Sequence, residues 1–139
     1  MQPMPLPQPT KILYVDDDMD DRYFMSLSIT ETGTNAALVY ASNGADAIEY
    51  LNSINTSDLP ALIILDLNMP KWDGRETLHY LKKQPHLADI PVVIFTTSNS
   101  NADREKCALL GASSYYTKPY RFDEYKQIIS SFGSILAHS

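Results

Sequence analysis

Three carboxylates, a hydroxyl and an ammonium each stand directly after a short apolar or aromatic run in this sequence. Asp16 and Asp17 follow Ile12–Val15, Asp66 follows Leu62–Leu65, Thr96 follows Val92–Phe95, and Lys118 follows Ser114–Thr117. Carboxylates about 4 Å apart repel by roughly 1 kcal/mol in water and about 4 kcal/mol at an effective dielectric of 20. Gathered in one place, they raise the pKa of at least one member or draw in a cation. All-oxygen ligands without clustered His or Cys select Mg²⁺ or Mn²⁺ over zinc. A carboxylate nucleophile, a metal for the phosphoryl oxygens and two further donors are what phosphoryl transfer to an aspartate requires. Each residue also has a plain reading: an Asp after a strand caps a helix, a Thr ends a strand, a Lys is solvated. Asp16, Asp17, Asp18, Asp20 and Asp21 fall within six residues, a run that is either a solvated loop or a cation site. Their joint placement favours the chemistry.

The elements that position them alternate along the chain. Ile12–Val15, Ala37–Tyr40, Leu62–Leu65, Val92–Phe95 and Ser114–Thr117 read as strands. Helices are expected from about Asp20 to Thr32 before Gly33, and around Ala45, Ile48 and Leu51. Another holds Leu78 and Leu81 and ends before Pro85. Ser100 and Asp103 form an N-cap pair opening a helix closed by Gly111. Phe122, Tyr125, Ile128, Ile129, Phe132, Ile135 and Leu136 recur at the period of an amphipathic final helix. Five strands alternating with five helices imply right-handed crossovers and a parallel sheet covered on both faces, an α/β doubly wound domain. The near-continuous apolar strands agree. In such sheets ligands bind beyond the carboxyl ends of the strands, where the five polar residues fall.

Composition excludes several classes. The chain of 139 residues suits one domain, with 44% hydrophobic and 20% charged residues. A formal charge of −6 and no basic stripe argue against nucleic-acid binding. No apolar run nears the roughly 18 residues of a membrane span, and no secretory pattern opens the chain. The single cysteine, Cys107, forms no internal disulfide and fits a reducing cytoplasm. Residues 1–9, with Pro3, Pro5, Pro7 and Pro9, read as a flexible tail or a docking peptide, and residues 10–139 as the domain.

The segments Val15-Asp16-Asp17, Leu65–Gly74, Thr96-Thr97 and Lys118-Pro119 resemble, in order and separation, the signature blocks of bacterial response-regulator receiver domains. The resemblance covers about residues 10–137 and implies a flavodoxin-like (βα)5 fold. Asp66–Gly74 followed by Arg75-Glu76-Thr77-Leu78 also resembles the small stand-alone regulators that partner bacterial phytochromes. The resemblance implies Asp66 as phosphoacceptor, and a Mg²⁺ site of Asp17, Asp16 through a water, Asp66 and the Asn68 backbone carbonyl. It implies that Lys118 and Thr96 bind the phosphoryl oxygens and that Tyr115 moves inward as the switch aromatic when Thr96 moves. A cis Lys118–Pro119 bond is expected on the same ground. The implied partners are a histidine kinase or phosphotransfer protein. The output is protein contact, with a target or a second copy, through the fourth helix, fifth strand and fifth helix. No output domain is expected after the last helix.

Two positions depart from fast-cycling members of that family. Ser98 stands where some carry a carboxylate, and Thr97 is bulkier than the Ala or Gly common there, so a phosphorylated lifetime longer than in those fast members is expected. His79, His86 and His138 are scattered, and Cys107 reads as helix packing. Trp72 either packs locally or meets a partner. Tyr115, Tyr116 and Tyr120 are close enough together to enrich a binding surface. Three other readings compete. A haloacid-dehalogenase-type phosphatase would have its acceptor after the first strand and an acid two residues on, where this chain has Asn68. A flavin site would need Ser, Thr and Gly in the first loop. A phosphorylation-independent receiver-like interaction module would not need every functional position filled.

Overall fold

The computed structural model of the chain describes residues 10–132 and residue 136. The tail 1–9, Ile135 and His138 lie outside them. Strands β1 (Thr10–Val15), β2 (Ala36–Ala41), β3 (Leu62–Leu65), β4 (Val92–Thr96) and β5 (Ser114–Thr117) form one parallel sheet in the order β2-β1-β3-β4-β5. Helices α1 (Met19–Glu31), α2 (Gly44–Ser53), α3 (Gly74–Lys83), α4 (Asn101–Leu110) and α5 (Phe122–Ser131) connect and follow them. The doubly wound α/β fold read from the sequence is thus the observed one. Among the described residues no helix is long and apolar enough to cross a membrane.

Side chains alternate across a strand, and here both faces are buried. Leu13, Val15, Ile63, Leu65, Val92 and Ile94 meet Ile48, Leu51, Leu78, Leu81 and Cys107 on one face. Ile12, Tyr14, Leu62, Ile64, Val93 and Phe95 meet Met25, Ile29, Tyr125, Ile129 and Phe132 on the other. Burial of this apolar surface, at about 25 cal/mol per Å², is the main force holding the layers together. The sheet edges are less covered: β5 is half-buried throughout, and β2 is half-buried or exposed up to Ala41.

Most boundaries match the sequence reading. Ser100 caps α4 by accepting the Asp103 N–H, and Gly111 closes it at φ 105°. Three details differ. The inward stripe of α2 is Gly44, Ala47, Ile48 and Leu51, whereas Ala45 faces solvent. The reason is close packing at the helix start, where a Cβ on Gly44 would lie 1.9 Å from the Thr77 hydroxyl. A single 3₁₀ turn, Thr56–Asp58, precedes β3. Finally, the Lys118–Pro119 bond is trans, with no cis peptide among the described residues. The trans form is already lower by about 0.5–1 kcal/mol before proline, and with it the Lys118 N–H still reaches the Thr96 carbonyl at 2.6 Å.

Candidate functional site

The chain runs from β1 to β2 on one side and returns to β3 on the other, so the topological switch lies between β1 and β3. Register then does the positioning. Val15 stands opposite Leu65, and the Asp66 N–H donates to the Val15 carbonyl at 3.0 Å. Asp16 and Asp66, each the next residue, therefore emerge side by side. Thr96 closes β4 opposite Thr117, which sets Lys118 beyond it.

Asp16 is fully buried. Its Oδ2 accepts from the Tyr14 hydroxyl at 2.8 Å and from Lys118 Nζ at 2.7 Å, and its Oδ1 accepts the Asp18 N–H at 2.9 Å. Asp66 is only 5% exposed. Its Oδ1 accepts the Asn68 N–H at 3.3 Å and its Oδ2 faces Lys118 Nζ at 3.3 Å. Asp17 is exposed. Carboxylate oxygens of Asp16, Asp17 and Asp66 lie within 4.8 Å of one another. Thr96 is buried, and its hydroxyl accepts from the Asn68 side-chain amide at 3.5 Å.

The electrostatics follow from this crowding. Burial pushes the Asp66 carboxyl above its ordinary range; Lys118 opposes the rise and the Asp16 charge adds to it. Burial alone would lower Lys118, but its hydrogen bonds to Asp16 and Asp21 outweigh that and raise it. Burial and the neighbouring Asp16 hold the Tyr14 phenol protonated and donating. One ammonium thus serves several carboxylates, and the group carries surplus negative charge at a partly open edge. Hard oxygen ligands in that state fit a divalent cation.

The structure therefore gathers Asp16, Asp17, Asp66, Asn68, Thr96 and Lys118. Tyr115 stands apart on β5, half-buried, with its hydroxyl on the Ser98 carbonyl at 2.9 Å and the Arg104 guanidinium 4.5 Å from its ring centre. Thr97 is exposed. Trp72 packs edge-on against Tyr80 at 5.5 Å while remaining 41% exposed. Cys107 is buried, and burial raises its thiol pKa, as suits packing.

Sequence reasoning missed a second layer. The acidic run divides its labour: Asp16 and Asp17 face the site, and Asp18 caps α1 by accepting the Asp20 and Asp21 N–H groups. Asp21 turns back to Lys118 at 2.7 Å. The spacing from Asp18 to Asp21, a cap and its third helical residue, was the available signal. Arg75 and Asp103 pair at 2.5 Å, linking α3 to α4 across a separation that no local pattern encodes.

With this geometry in place, comparison with known proteins is direct. Residues 12–130 match the response regulator receiver domain. The response regulator Rcp1 of Synechocystis is 32% identical over 129 residues, 91% of this chain and 88% of that protein. The phosphorylated cyanobacterial phytochrome response regulator RcpA superposes with a TM-score of 0.83 at 30% identity, covering 93% of this chain and 94% of that one. The Mn²⁺-bound form of Rcp1 gives 0.80 at 32% identity, with 91% and 93% covered. The chain belongs to the response regulator receiver domain family, the signalling domains of two-component systems.

Proposed function

We propose that this chain is a response-regulator receiver domain that takes a phosphoryl group onto Asp66 from a phosphohistidine of a histidine kinase or phosphotransfer protein. The observation that carries the reading is a buried Asp66 carboxylate 3.3 Å from Lys118 and clustered with Asp16 and Asp17. An Asp66 carboxylate oxygen attacks phosphorus, forming a P–O bond as the P–N bond breaks. The imidazole leaves with that electron pair and retains a neutral ring once its protons redistribute with water. Lys118 and the Thr96 hydroxyl donate to phosphoryl oxygens, where charge accumulates. Asp16, Asp17, Asp66 and the Asn68 carbonyl would hold Mg²⁺, or Mn²⁺ in its place, which supplies positive charge to those oxygens when bound. Attack of water on the same phosphorus breaks the P–O bond to Asp66, releasing inorganic phosphate and returning the free carboxylate.

Output then passes through protein contact at the face of α4, β5 and α5, to a target or a second copy. Thr96 turning toward the phosphoryl group vacates space that Tyr115 fills, so one local charge change biases two packings. Phosphatase chemistry is disfavoured because Asn68, two residues after the acceptor, carries an amide rather than an acid.

Intact-protein mass after incubation with acetyl phosphate and Mg²⁺ tests the proposal. A gain of one phosphoryl group that requires both Mg²⁺ and Asp66, and is absent in Asp66→Asn, supports it. No gain under conditions that modify a known receiver replaces it with a phosphorylation-independent interaction module.

A further inference from the structure

Lys118 is tied to a carboxylate outside the acceptor and metal group. Its Nζ lies 2.7 Å from Asp21 Oδ2, as close as it lies to Asp16 and closer than its 3.3 Å to Asp66. An ammonium has three N–H donors and no other polar capacity, so the three carboxylates use it fully. The Lys118 side chain is 7% exposed and that of Asp21 17%, which shields the pair from water.

Asp21 is itself held. Asp18 satisfies the first N–H groups of α1, which leaves the Asp21 carboxylate free of a capping role. Its Oδ1 accepts the Tyr125 hydroxyl of α5 at 2.5 Å. The Tyr125 ring is fixed in turn, edge-on against Phe95 at 5.4 Å and tilted against Phe24 at 5.8 Å. Phe95 is fully buried and immediately precedes Thr96. Tyr125 thereby aims one Asp21 oxygen at itself and the other at Lys118. A solvated acidic residue on a helix would show none of this.

We infer that Asp21, oriented by Tyr125, is a positioning residue that fixes the Lys118 ammonium beside Asp66 for phosphoryl transfer. The inference rests on the proposed phosphoacceptor role of Asp66. A long lysine stem has many rotamers, and a donor must be in place before charge develops on the phosphoryl oxygens if it is to act without reorganising. Asp16, itself held by the Tyr14 hydroxyl and the Asp18 amide, gives the ammonium one fixed point at 2.7 Å. Asp21 supplies the second fixed point, from a helix that carries neither the acceptor nor a metal ligand.

The test joins a spectroscopic readout to a rate on the whole chain. Lysine ammonium NMR should show a slowly exchanging Lys118 signal, assigned by its loss in Lys118→Arg. In Asp21→Asn that signal should move and broaden into exchange with water; in Tyr125→Phe it should move less. Phosphorylation by acetyl phosphate at saturating Mg²⁺ should slow by about ten- to a hundredfold in Asp21→Asn, the scale of a misplaced catalytic group. In Tyr125→Phe, where one neutral donor is lost, it should slow about fivefold. An unchanged ammonium signal overturns the inference, as does a moved signal with an unchanged or faster rate. If the unaltered chain takes up no phosphoryl group, the phosphoacceptor reading falls, and the ammonium signal alone decides whether Asp21 positions Lys118.

Discussion

The Tyr115 hydroxyl donates to the Ser98 backbone carbonyl at 2.9 Å, joining β5 to the loop that leaves Thr96 only two residues earlier. Arg104 of α4 stacks over the same ring and donates to the Tyr115 carbonyl. The loop, β5 and α4 thus share one aromatic side chain. That side chain lies between the loop after Thr96 and the surface of α4 and β5.

Replacing Tyr115 with Ala should leave phosphoryl uptake by Asp66 intact and remove its consequence. Hydrogen exchange measured with and without acetyl phosphate and Mg²⁺ should show a change over residues 98–120 in the unaltered chain. That change should be lost in Tyr115→Ala. An equal change in the variant would free Tyr115 of the switch role.

Asp103 supports a pH-dependent part of stability. The Ser98 hydroxyl donates to its Oδ2 at 2.6 Å, and Arg75 grips its Oδ1. The Ser98 hydrogen bond first, and Arg75 second, hold the Asp103 carboxyl below the usual range. A lowered acid pKa stabilises the fold above the unfolded value of about 3.9 and loses that contribution as pH falls through the folded value. Urea midpoints of the unaltered chain and Asp103→Asn should differ at neutral pH and converge below about pH 4. A constant gap across that range would assign the difference to something other than this charge.

Gly74 is required by packing rather than by φ. A Cβ there would lie 2.3 Å from the Asp66 carbonyl oxygen and 2.7 Å from the Leu67 Cα. Both are backbone atoms of the segment that carries Asp66, so neither can rotate aside. Gly74→Ala should cost about 1–3 kcal/mol, the range for an overpacked site, measured by thermal or urea unfolding. Phosphoryl uptake should fall with it, because Asp66 must shift. A variant of full stability and rate would mean the loop relaxes freely.

How far these features could be read in advance depends on their range in sequence. The strands were legible because β3 and β4 are buried on both faces and hence apolar, β4 up to Thr96. The site followed from them, since residues just past strand ends in a parallel sheet must converge. Ala45 misled because helical spacing alone does not tell 44, 47, 48, 51 from 45, 48, 51. The contact of Gly44 with Thr77 and Trp72 decides it. Asp21, Tyr125 and the Arg75–Asp103 pair are partners across about 28 to 104 positions, where only the folded chain supplies the neighbour.

Ser98 bears on how long a phosphoryl group would persist. Its hydroxyl is committed to Asp103, whose charge is matched by Arg75. No free carboxylate stands at Ser98 to orient an attacking water. Phosphorylated chain, freed of donor and followed by intact mass without a phosphatase, should decay more slowly than seconds. Decay within seconds would show that water is oriented by some other group.

Divalent metal should stabilise the fold, and the variants should separate the cause. Asp66 is buried beside Asp16, and burial disfavours its charge. Asp66→Asn should therefore match or exceed the stability of the unaltered chain without metal, since it removes a charge the fold holds at a cost. Adding Mg²⁺ at ten times its dissociation constant stabilises a folded binder by about 1.4 kcal/mol, a shift of several degrees in thermal midpoint for a domain of this size. That shift should appear in the unaltered chain and shrink in Asp66→Asn. It should shrink also in Asp17→Asn, where the lost carboxylate is exposed and the Tyr14 and Lys118 bonds to Asp16 remain. The two variants share the smaller Mg²⁺ shift and differ in their stability without metal, where Asp66→Asn is the more stable. Equal Mg²⁺ shifts in all three proteins would put the ion elsewhere on the acidic surface and remove the metal from the account of Asp66.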